Sequence, residues 1–448
     1  MVYMQAQLLG WRPVMDSWLA TLPPGVTEEH RAQIAALFDW LIPPALRIAT
    51  KIVRPTLPMQ EINLAVACMR LMEAQLDEFR DSPAVIAEMN ENMQSVWLQS
   101  LFLFALVWSC GANTDGEGRK TFDAMLRRLL VNDTPPELKI FVKGAPVKVT
   151  QLFPEGKLVH EFAFDKGRNK WVPWLDTVEA KPLDPEAEYA SIVVPTLDTV
   201  RYTFLLDALV RHGRHTMLVG PTGTGKTVYV KRHLQEGLPS EYTSMFFNFS
   251  AQTSANMTQD VIDGRLDKRK KGVYGPPPGK KLVMFVDDLN MPQVETYGAQ
   301  PPIELLRQWM DHSGWYDRKE LTFKKLVDMQ FVAAMGPPGG GRAFVTPRYL
   351  RHFSMIGLSE VENTTLTYIF STIIHWHMSH GFSDALNALA PKLIGATLAI
   401  YAQSIASLLP TPSKSHYIFN LRDFARVVQG IMLAPAAIFQ EDGAPQKM

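Results

Sequence analysis

The chain has 448 residues, of which 46% are hydrophobic and 20% are charged, a composition typical of folded domains rather than of disordered segments. Its 45 basic residues balance its 45 acidic residues, so no overall charge attracts nucleic acid or an anionic membrane. The two cysteines, Cys68 and Cys110, show no paired spacing, which argues against a disulfide scaffold or a zinc site and favours a reducing, cytoplasmic setting.

The chain from residue 27 to residue 131 shows the periodicity of amphipathic helices and is predicted to form a small helical domain. Ile34, Leu37 and Leu41 recur on one helical face. The following Pro43–Pro44 is predicted to end that helix, because proline lacks the amide hydrogen that a helix interior requires.

The most apolar run of the chain is Val96–Trp108, which is too short to cross a bilayer and is predicted to be a buried helix. Met1–Gly10 has no basic segment followed by an apolar one, so no signal peptide is predicted. Gly111–Gly118 is predicted to be a loop and Arg119–Leu130 a further helix. We therefore predict no association with a membrane.

Helical periodicity ends near residue 132, and residues 132–190 are predicted to be a β-rich connecting segment. Val147–Val149, Leu158–Phe164 and Trp171–Leu175 are short apolar or alternating runs that are typical of strands.

Residues 191–360 alternate between runs of strand length and helical patterns. The apolar runs are Met217–Val219, Met245–Phe249, Leu282–Val286, Phe331–Met335 and Phe353–Ile356. Such alternation predicts an α/β fold, a parallel sheet flanked by helices on both faces. Residues 361–448 are again predicted to be helical to the end of the chain and to form a second small helical domain.

The motif that carries most information is GPTGTGKT, which fits every fixed position of the phosphate-loop pattern G-x-x-x-x-G-K-[ST]. A predicted strand precedes it and a predicted helix follows it, which disfavours a simple glycine-rich turn. Glycines allow several backbone N–H groups to converge on one point at a helix N-terminus, where a polyphosphate binds. The predicted ATP-binding residues are Gly220, Pro221, Thr222, Gly223, Thr224, Gly225, Lys226 and Thr227.

Within this loop, Lys226 is predicted to contact the β- and γ-phosphates, and the Thr227 hydroxyl is predicted to ligate Mg²⁺. A second candidate metal ligand, Asp287, follows the apolar run Leu282–Val286. A buried parallel strand would deliver Asp287 to the carboxyl edge of the sheet, where ligands bind in such folds. Asp288 follows directly and is the candidate catalytic carboxylate.

Three further motifs resemble the third AAA+ module of a dynein heavy chain, in wording closer to the axonemal than to the cytoplasmic form. They are Phe285–Pro292 (FVDDLNMP), Gly336–Arg342 (GPPGGGR) and Asn420–Arg426 (NLRDFAR). The fold implied is a AAA+ P-loop NTPase large domain, here residues 191–360, with small helical domains.

Earlier motifs resemble the second module of the same family. They are Met1–Met4, Leu9–Pro13 (LGWRP) and Trp108–Lys120. The resemblance implies that residues 1–26 end the second large domain, that residues 27–131 are its small helical domain, and that residues 361–448 are an incomplete small domain of the third module.

The resemblance also implies roles for residues outside the phosphate loop. Val194, Pro195 and Thr196 would border the adenine, and Arg422 on the small domain would sense the γ-phosphate. Arg351 would act as an arginine finger towards the nucleotide of the second module, with Arg348 as the fallback. For both of these arginines, a surface salt bridge is the alternative.

Two departures from the family pattern concern hydrolysis. AAA+ hydrolases usually place Glu after the magnesium Asp, whereas Asp288 is one methylene shorter and sets the carboxylate back by about 1.5 Å. The Asn that usually ends the fourth strand is replaced by Gly336. Both departures predict slow hydrolysis at a site that still binds ATP and Mg²⁺, and hence a regulatory role.

The function implied is that of a fragment of an axonemal dynein heavy chain, a minus-end-directed microtubule motor of cilia and flagella, located in the cytoplasm, the cytoskeleton and the axoneme. Its partners would be neighbouring AAA+ modules and, through the full-length chain, intermediate chains, light chains and microtubules. The sequence has no sustained heptad pattern, so it does not predict a stalk coiled coil. A non-motor nucleotide-dependent AAA+ scaffold or switch is the alternative, and an unrelated P-loop kinase fits the motif contexts less well.

The basic run Asp267–Lys271 has no interleaved aromatic residues and is predicted to be a solvated loop rather than a nucleic-acid site. His375, His377 and His380 do not share one helical face, so their spacing does not predict a metal site.

Overall fold

The computed structural model of the chain describes residues 9–178, 183–186, 188–189, 192–339, 341–411, 413–414, 417 and 419–436, except for the side chain of Val85. The motif Met1–Met4 lies outside the described residues. The chain divides into two compact units. Unit 1 comprises Met1–Trp174, Arg201–Pro221 and Gly225–Ser359, and unit 2 comprises Leu175–Val200, Thr222–Thr224 and Glu360–Met448.

The first part of unit 1 is helical, as predicted. Its helices are α1 (Arg12–Ala20), α2 (Glu28–Arg47), α3 (Glu61–Glu73), α4 (Asp77–Asp81), α5 (Pro83–Glu88), α6 (Glu91–Leu106) and α7 (Gly116–Leu130). The start of α2 is fixed by Thr27, whose side chain accepts the His30 N–H at 3.2 Å, with acidic residues in the first turn.

Pro43–Pro44 does not end α2, contrary to the prediction, since the helix continues to Arg47. The residues on either side of the prolines, among them Leu41, Ile42 and Leu46, are buried. Each such side chain stabilises the fold by about 1.5–3 kcal/mol, which offsets the hydrogen bonds that the prolines cannot make.

The predicted loop Gly111–Gly118 is shorter than expected. A π-helical turn, Val107–Gly111, extends α6, and α7 already begins at Gly116. The helix starts there because Asp115 caps it, accepting the Gly118 N–H at 2.8 Å.

Among the described residues, two helical segments are long and apolar enough to cross a membrane by length and composition. In Glu91–Gly111, 89% of the apolar window is buried within unit 1, as in the core helix of a soluble protein, which confirms the buried helix predicted over Val96–Trp108. In Asp384–Ser407 of unit 2, only 17% of the window is buried.

In the part of the connecting segment that the structure describes, β1 (Phe162–Asp165) pairs antiparallel with β2 (Lys170–Pro173) in a hairpin. Val147–Val149, predicted to be a strand, is not one. One carbonyl of this run and the N–H just after it pair with a side chain instead of with a neighbouring strand. Gln99 donates to Lys148 O at 3.3 Å and accepts the Thr150 N–H at 3.0 Å.

A five-stranded parallel sheet forms the centre of the α/β part, which confirms the predicted fold class. Its strands are β3 (Thr216–Val219), β4 (Tyr242–Asn248), β7 (Lys281–Asp287), β10 (Met329–Met335) and β11 (Ser354–Gly357), in the order β11-β3-β10-β7-β4. All residues of β10 are buried, as expected for a central parallel strand. The helices of this part are α8 (Leu197–Arg211), α9 (Lys226–Arg232), α10 (Ala255–Asp263), α11 (Pro301–His312) and α12 (Pro347–Leu350).

A second sheet of four short strands was not predicted. It consists of β5 (Asp267–Lys270), β6 (Val273–Gly275), β8 (Gly314–Tyr316) and β9 (Phe323–Leu326), in the order β5-β6-β9-β8. The predicted basic loop Asp267–Lys271 is therefore mostly an edge strand. Lysines are common on edge strands because their charge opposes pairing with another chain.

Arg119 connects the helical part of unit 1 to the central sheet. Its guanidinium is buried and donates from Nη2 to Gly357 O at 2.8 Å and to the Tyr202 hydroxyl at 3.2 Å. A side chain at Gly357 would collide with the Ala112 carbonyl oxygen, so the two backbones can approach closely only because residue 357 is glycine.

Unit 2 is built from α13 (Asn363–Met378), α14 (Asp384–Asn387), α15 (Ala390–Ser407) and α16 (Leu421–Met432). Its core consists of Val194, Leu366, Phe370, Ile373, Ile374, Met378, Ala390, Ile394, Phe424 and Val428. The prediction that the chain is helical throughout this region is wrong for the described residues between Ser407 and Asn420, where Pro410 cannot continue a helix. Asn420 and Asp423 then form a capping box for α16.

Two histidines of unit 1, the buried His160 and the half-buried His215, are held neutral. His160 donates from Nε2 to Gly111 O at 2.9 Å, and burial, with Arg119 and Arg201 nearby, lowers its pKa well below the usual value. His215 Nδ1 accepts the Phe331 N–H at 3.1 Å, and burial beside cationic groups lowers its pKa to about 4.

We expect these histidines to make the fold less stable in acid. The unfolded chain takes up protons near the ordinary histidine pKa of 6.5, whereas the folded chain does not. Stability is therefore lost as the pH falls through that value, by about 1.4 kcal/mol per pH unit for each histidine. In urea unfolding at about pH 7, 6 and 5, the free energy of unfolding of His160→Gln should fall less steeply with pH than that of the wild type, because the variant has one such histidine fewer. The exposed His375→Gln is the matched control and should follow the wild type; equal slopes for both variants would refute the assignment.

Candidate nucleotide-binding site

The candidate site lies at the carboxyl edge of the central sheet. Because β10 lies between β3 and β7, the ends of these strands bring Gly220, Gly336 and Asp287 to the same edge. The Gly220 N–H donates to Met335 O at 3.3 Å, which joins the start of the phosphate loop to the end of β10.

The glycines of the phosphate loop are required by the geometry around them. Gly225 has φ +81°, and a side chain there would begin 2.9 Å from the ring of Tyr229. At Gly220, a side chain would begin 2.8 Å from Leu358 O. Gly223, in unit 2, has φ +86° and packs against the start of α16, where a Cβ would lie 3.1 Å from Leu421 N.

The predicted lysine and metal ligands are brought together. Lys226 Nζ donates to Gly220 O at 2.8 Å and to Pro221 O at 2.6 Å, so the ammonium group lies over the loop. The Thr227 hydroxyl donates to Asp287 Oδ2 at 2.6 Å. A hydroxyl and a carboxylate oxygen at this separation fit Mg²⁺, which prefers few carboxylates and completes its shell with water and phosphate oxygens.

Asp288 has a backbone conformation that the sequence did not reveal. Its φ is +51°, in the left-handed region that Asp and Asn enter more readily than most residues. Its N–H donates to Asp287 Oδ1 at 3.0 Å, and the side chain is exposed. In this turn the backbone of Asp288 therefore holds the Asp287 carboxylate, while the Asp288 carboxylate is exposed to solvent at the sheet edge.

Arg342 is a residue of this edge that the sequence analysis did not select. Gly336 follows β10 directly, and a Cβ there would lie 2.7 Å from Arg342 Cζ. The Gly336 carbonyl accepts from Asn290 Nδ2 at 2.9 Å. The glycine-rich run that ends in Arg342 was the available signal, but its fold back onto Gly336 was not readable from spacing.

The residues predicted to border the adenine and to sense the γ-phosphate lie in unit 2. Val194 belongs to the core of that unit, and Thr196 accepts the Thr199 N–H at 3.2 Å at the start of α8, just after Pro195. Arg422 is exposed in the first turn of α16, and its N–H donates to Asn420 Oδ1 at 2.8 Å.

The predicted arginine finger is engaged within its own unit. Arg351 donates from Nη2 to Asp311 Oδ1 at 2.5 Å and from Nε to Arg348 O at 3.1 Å. Burial alone would raise the pKa of Asp311, but the hydrogen bond and charge of Arg351 hold it below the ordinary value. Arg348 is exposed in α12.

The strand order, the phosphate loop after β3 and the aspartate at the end of β7 together define a AAA+ P-loop nucleotide-binding protein. Residues 181–361 match the family described as "P-loop containing dynein motor region", residues 34–176 match "Dynein heavy chain AAA lid domain", and residues 393–442 match "AAA+ lid domain".

Similar proteins include "Dynein axonemal heavy chain 3" of Mus musculus, 44% identical over 98% of this chain and 11% of that protein. "Dynein axonemal heavy chain 12" of Rattus norvegicus is 42% identical over 97% of this chain and 14% of that protein. "Dynein axonemal heavy chain 1" of Homo sapiens is 39% identical over 98% of this chain and 11% of that protein. The chain belongs to the dynein heavy chain family, of the axonemal type, and spans between 11% and 14% of the length of these relatives.

Proposed function

We propose that this chain is an ATP-binding AAA+ module of an axonemal dynein heavy chain, and that its site is a regulatory switch with slow hydrolysis. The observation that carries the proposal is the arrangement at the sheet edge. The groups that bind nucleotide, Lys226, Thr227 and Asp287, are assembled, whereas the residue for hydrolysis, Asp288, is short.

ATP binding follows from the charges of the loop. The backbone N–H groups at the start of α9 and the Lys226 ammonium group attract the β- and γ-phosphates. Thr227 and Asp287 would hold Mg²⁺, which neutralises phosphate charge when bound. Lys226 would exchange the carbonyl oxygens of Gly220 and Pro221 for phosphate oxygens, which are stronger acceptors.

Slow hydrolysis follows from the positions of Asp288 and Gly336. A carboxylate set back by about 1.5 Å orients the attacking water poorly, and a misplacement of about 1 Å can cost about a hundredfold in rate. Gly336 offers no side chain to hold that water. The ATP-bound state would therefore persist and act as a signal.

The wider function that we propose is that of the whole heavy chain, a minus-end-directed microtubule motor of the ciliary or flagellar axoneme, with intermediate and light chains as partners. In this context, Val194, Pro195 and Thr196 would border the adenine, and Arg422 would report the γ-phosphate. Arg351, once released from Asp311, or the exposed Arg348, would serve the preceding module's nucleotide. Membership of the dynein family favours this motor over a separate scaffold protein.

A neighbouring module is also the partner that fits the exposed apolar face of α15. Ile400 is 69% exposed on this helix, and Leu409 just beyond it is 64% exposed. In unit 1, the earlier helical part packs on the sheet that follows it in the chain, through Arg119. We propose that α15 packs in the same way on a module that follows unit 2.

Calorimetric titration of the chain with Mg²⁺–ATP and Mg²⁺–ADP tests the proposal, with phosphate release followed in the same samples. We expect Mg²⁺-dependent binding of both nucleotides and little phosphate release. Lys226→Ala should weaken binding by about a hundredfold, because it removes the positive charge that would pair with the phosphates. Lys231→Ala is the matched control, since Lys231 lies on the same helix and contacts Phe246 instead. Brisk release that depends on Lys226 would contradict the regulatory role.

A further inference from the structure

The end of β10 occupies the centre of the candidate site. The start of the phosphate loop hydrogen bonds to it at Met335 O, and on the other side Leu289, just after Asp288, donates its N–H to Ala334 O at 3.1 Å. Gly336 is the first residue beyond this strand. A side chain at this point therefore adjoins both the phosphate loop and the magnesium aspartate.

The guanidinium of Arg342 takes the place that a side chain of residue 336 would otherwise have. A Cβ on Gly336 would lie 2.7 Å from Arg342 Cζ and 2.8 Å from its Nε and Nη1. Real Cβ atoms essentially never come within 3.0 Å of another group in this way. The arginine side chain can lie there because residue 336 is glycine.

The described residues on either side of position 340 return Arg342 to the strand. Gly339 and Arg342 form two backbone hydrogen bonds, each of 3.1 Å, which close a tight turn. Gly339 has φ +122° and Gly341 has φ +87°, conformations that favour glycine. The next residue, Ala343, donates its N–H to Asn290 O at 3.1 Å and fixes the loop to the segment after Asp288.

We propose that Arg342 binds the terminal phosphate of the nucleotide and makes this site prefer ATP to ADP, an inference that rests on the proposed nucleotide binding. A guanidinium presents several N–H donors in one plane and pairs well with phosphate oxygens. The γ-phosphate carries charge that ADP lacks, so a cation at the end of β10 contributes to the binding of ATP only. Glycine at position 336 replaces the neutral polar Asn that is usual there, and it leaves room for the charged side chain of Arg342.

A purely structural role for Arg342 leads to a different result. If Arg342 only supported its loop, replacing it would lower stability and would weaken ATP and ADP equally or not at all. A contact with the terminal phosphate changes the ratio of the two affinities. The ratio is therefore the quantity to measure.

The test is a calorimetric comparison of Mg²⁺–ATPγS and Mg²⁺–ADP binding to the wild type and to Arg342→Gln, which keeps a polar side chain of similar length without the charge. We expect Arg342→Gln to weaken ATPγS about tenfold and to leave ADP unchanged within about twofold. Arg342→Lys, which restores the charge, should recover part of the loss. Arg269→Met is the matched control. Like Arg342, Arg269 is half-buried beside a glycine, with its Nε 3.5 Å from where a Cβ of Gly275 would be. Unlike Arg342, it lies in β5 of the four-stranded sheet and not at the end of β10.

Equal affinities of Arg342→Gln and wild type for ATPγS, or equal losses for both nucleotides, would overturn the assignment of Arg342 while leaving nucleotide binding intact. Failure of the wild type to bind either nucleotide would instead overturn the proposed function, and this inference with it. A thermal melting curve of each variant, with its transition above the temperature of the titration, shows that the compared proteins are folded. Should Arg342→Gln not be folded, Arg342→Lys carries the comparison, with a smaller loss confined to ATPγS as the expected result and no such selective loss as the result that overturns it.

Discussion

Asp288→Glu is expected to raise the rate of ATP hydrolysis by up to about a hundredfold, because the added methylene moves the carboxylate forward by about 1.5 Å towards the attacking water. The affinity for Mg²⁺–ATP should change little, since in the proposed site Lys226, Thr227 and Asp287, rather than Asp288, would hold the nucleotide and the metal. Single-turnover phosphate release, with the protein in excess over ATP, measures the chemical step apart from product release.

The control for Asp288→Glu is Asp288→Asn, which keeps the length and the left-handed backbone preference of Asp and removes the charge. It should abolish the residual hydrolysis without lowering the melting temperature. If Asp288→Glu is folded, binds Mg²⁺–ATP as the wild type does, and still hydrolyses no faster, the length of this side chain does not limit the reaction.

Arg119→Met should lower the free energy of unfolding by about 3 kcal/mol. The buried guanidinium donates to Gly357 O at 2.8 Å and to the Tyr202 hydroxyl at 3.2 Å, and methionine leaves both oxygens without this donor. Urea unfolding followed by tryptophan fluorescence reports the change directly, because Arg119 lies over the ring of Trp108.

Arg127→Met is the matched control for Arg119→Met. Arg127 lies on the same helix and also donates to backbone carbonyls, those of Phe153, Pro154 and Lys157, but its side chain is 26% exposed. Water can replace its donors, so we expect a loss of about 1 kcal/mol. Equal losses for the two variants would mean that the contact with the sheet adds nothing.

The phosphate loop could be predicted because its information is local. Gly220–Thr227 is one contiguous run, and the strand before it and the helix after it are readable from neighbouring residues. Asp287 was also predictable, because an apolar strand has only one end at which a carboxylate can meet the loop. The parallel sheet followed from the same alternation of strands and helices.

The rest of the site depends on how distant segments fold back on each other. The contact of Arg342 with Gly336 depends on a glycine turn whose closure no spacing rule gives. The pairing of Arg351 with Asp311 joins residues 40 positions apart. The left-handed conformation of Asp288 is set by its surroundings in the fold rather than by its own preference alone.

Errors in the helical part and in the connecting segment have the same origin. Pro43–Pro44 was predicted to end a helix by a rule for isolated helices, whereas burial of the neighbouring side chains carries α2 onwards. Val147–Val149 has the composition of a strand, but no described strand pairs with it, and the Gln99 side chain bonds the Lys148 carbonyl and the Thr150 N–H instead.

The contact of Arg119 with Gly357 has a consequence for how the chain can be shortened. The sequence match to the motor region begins at residue 181, after the whole of α7. A truncation at that border would remove Arg119 and Ala112, and it would expose Tyr202 and the carbonyl of Gly357 to water. The part of the described chain that packs on the central sheet therefore includes α7, so the border of the family match and the border of this compact unit fall at different residues.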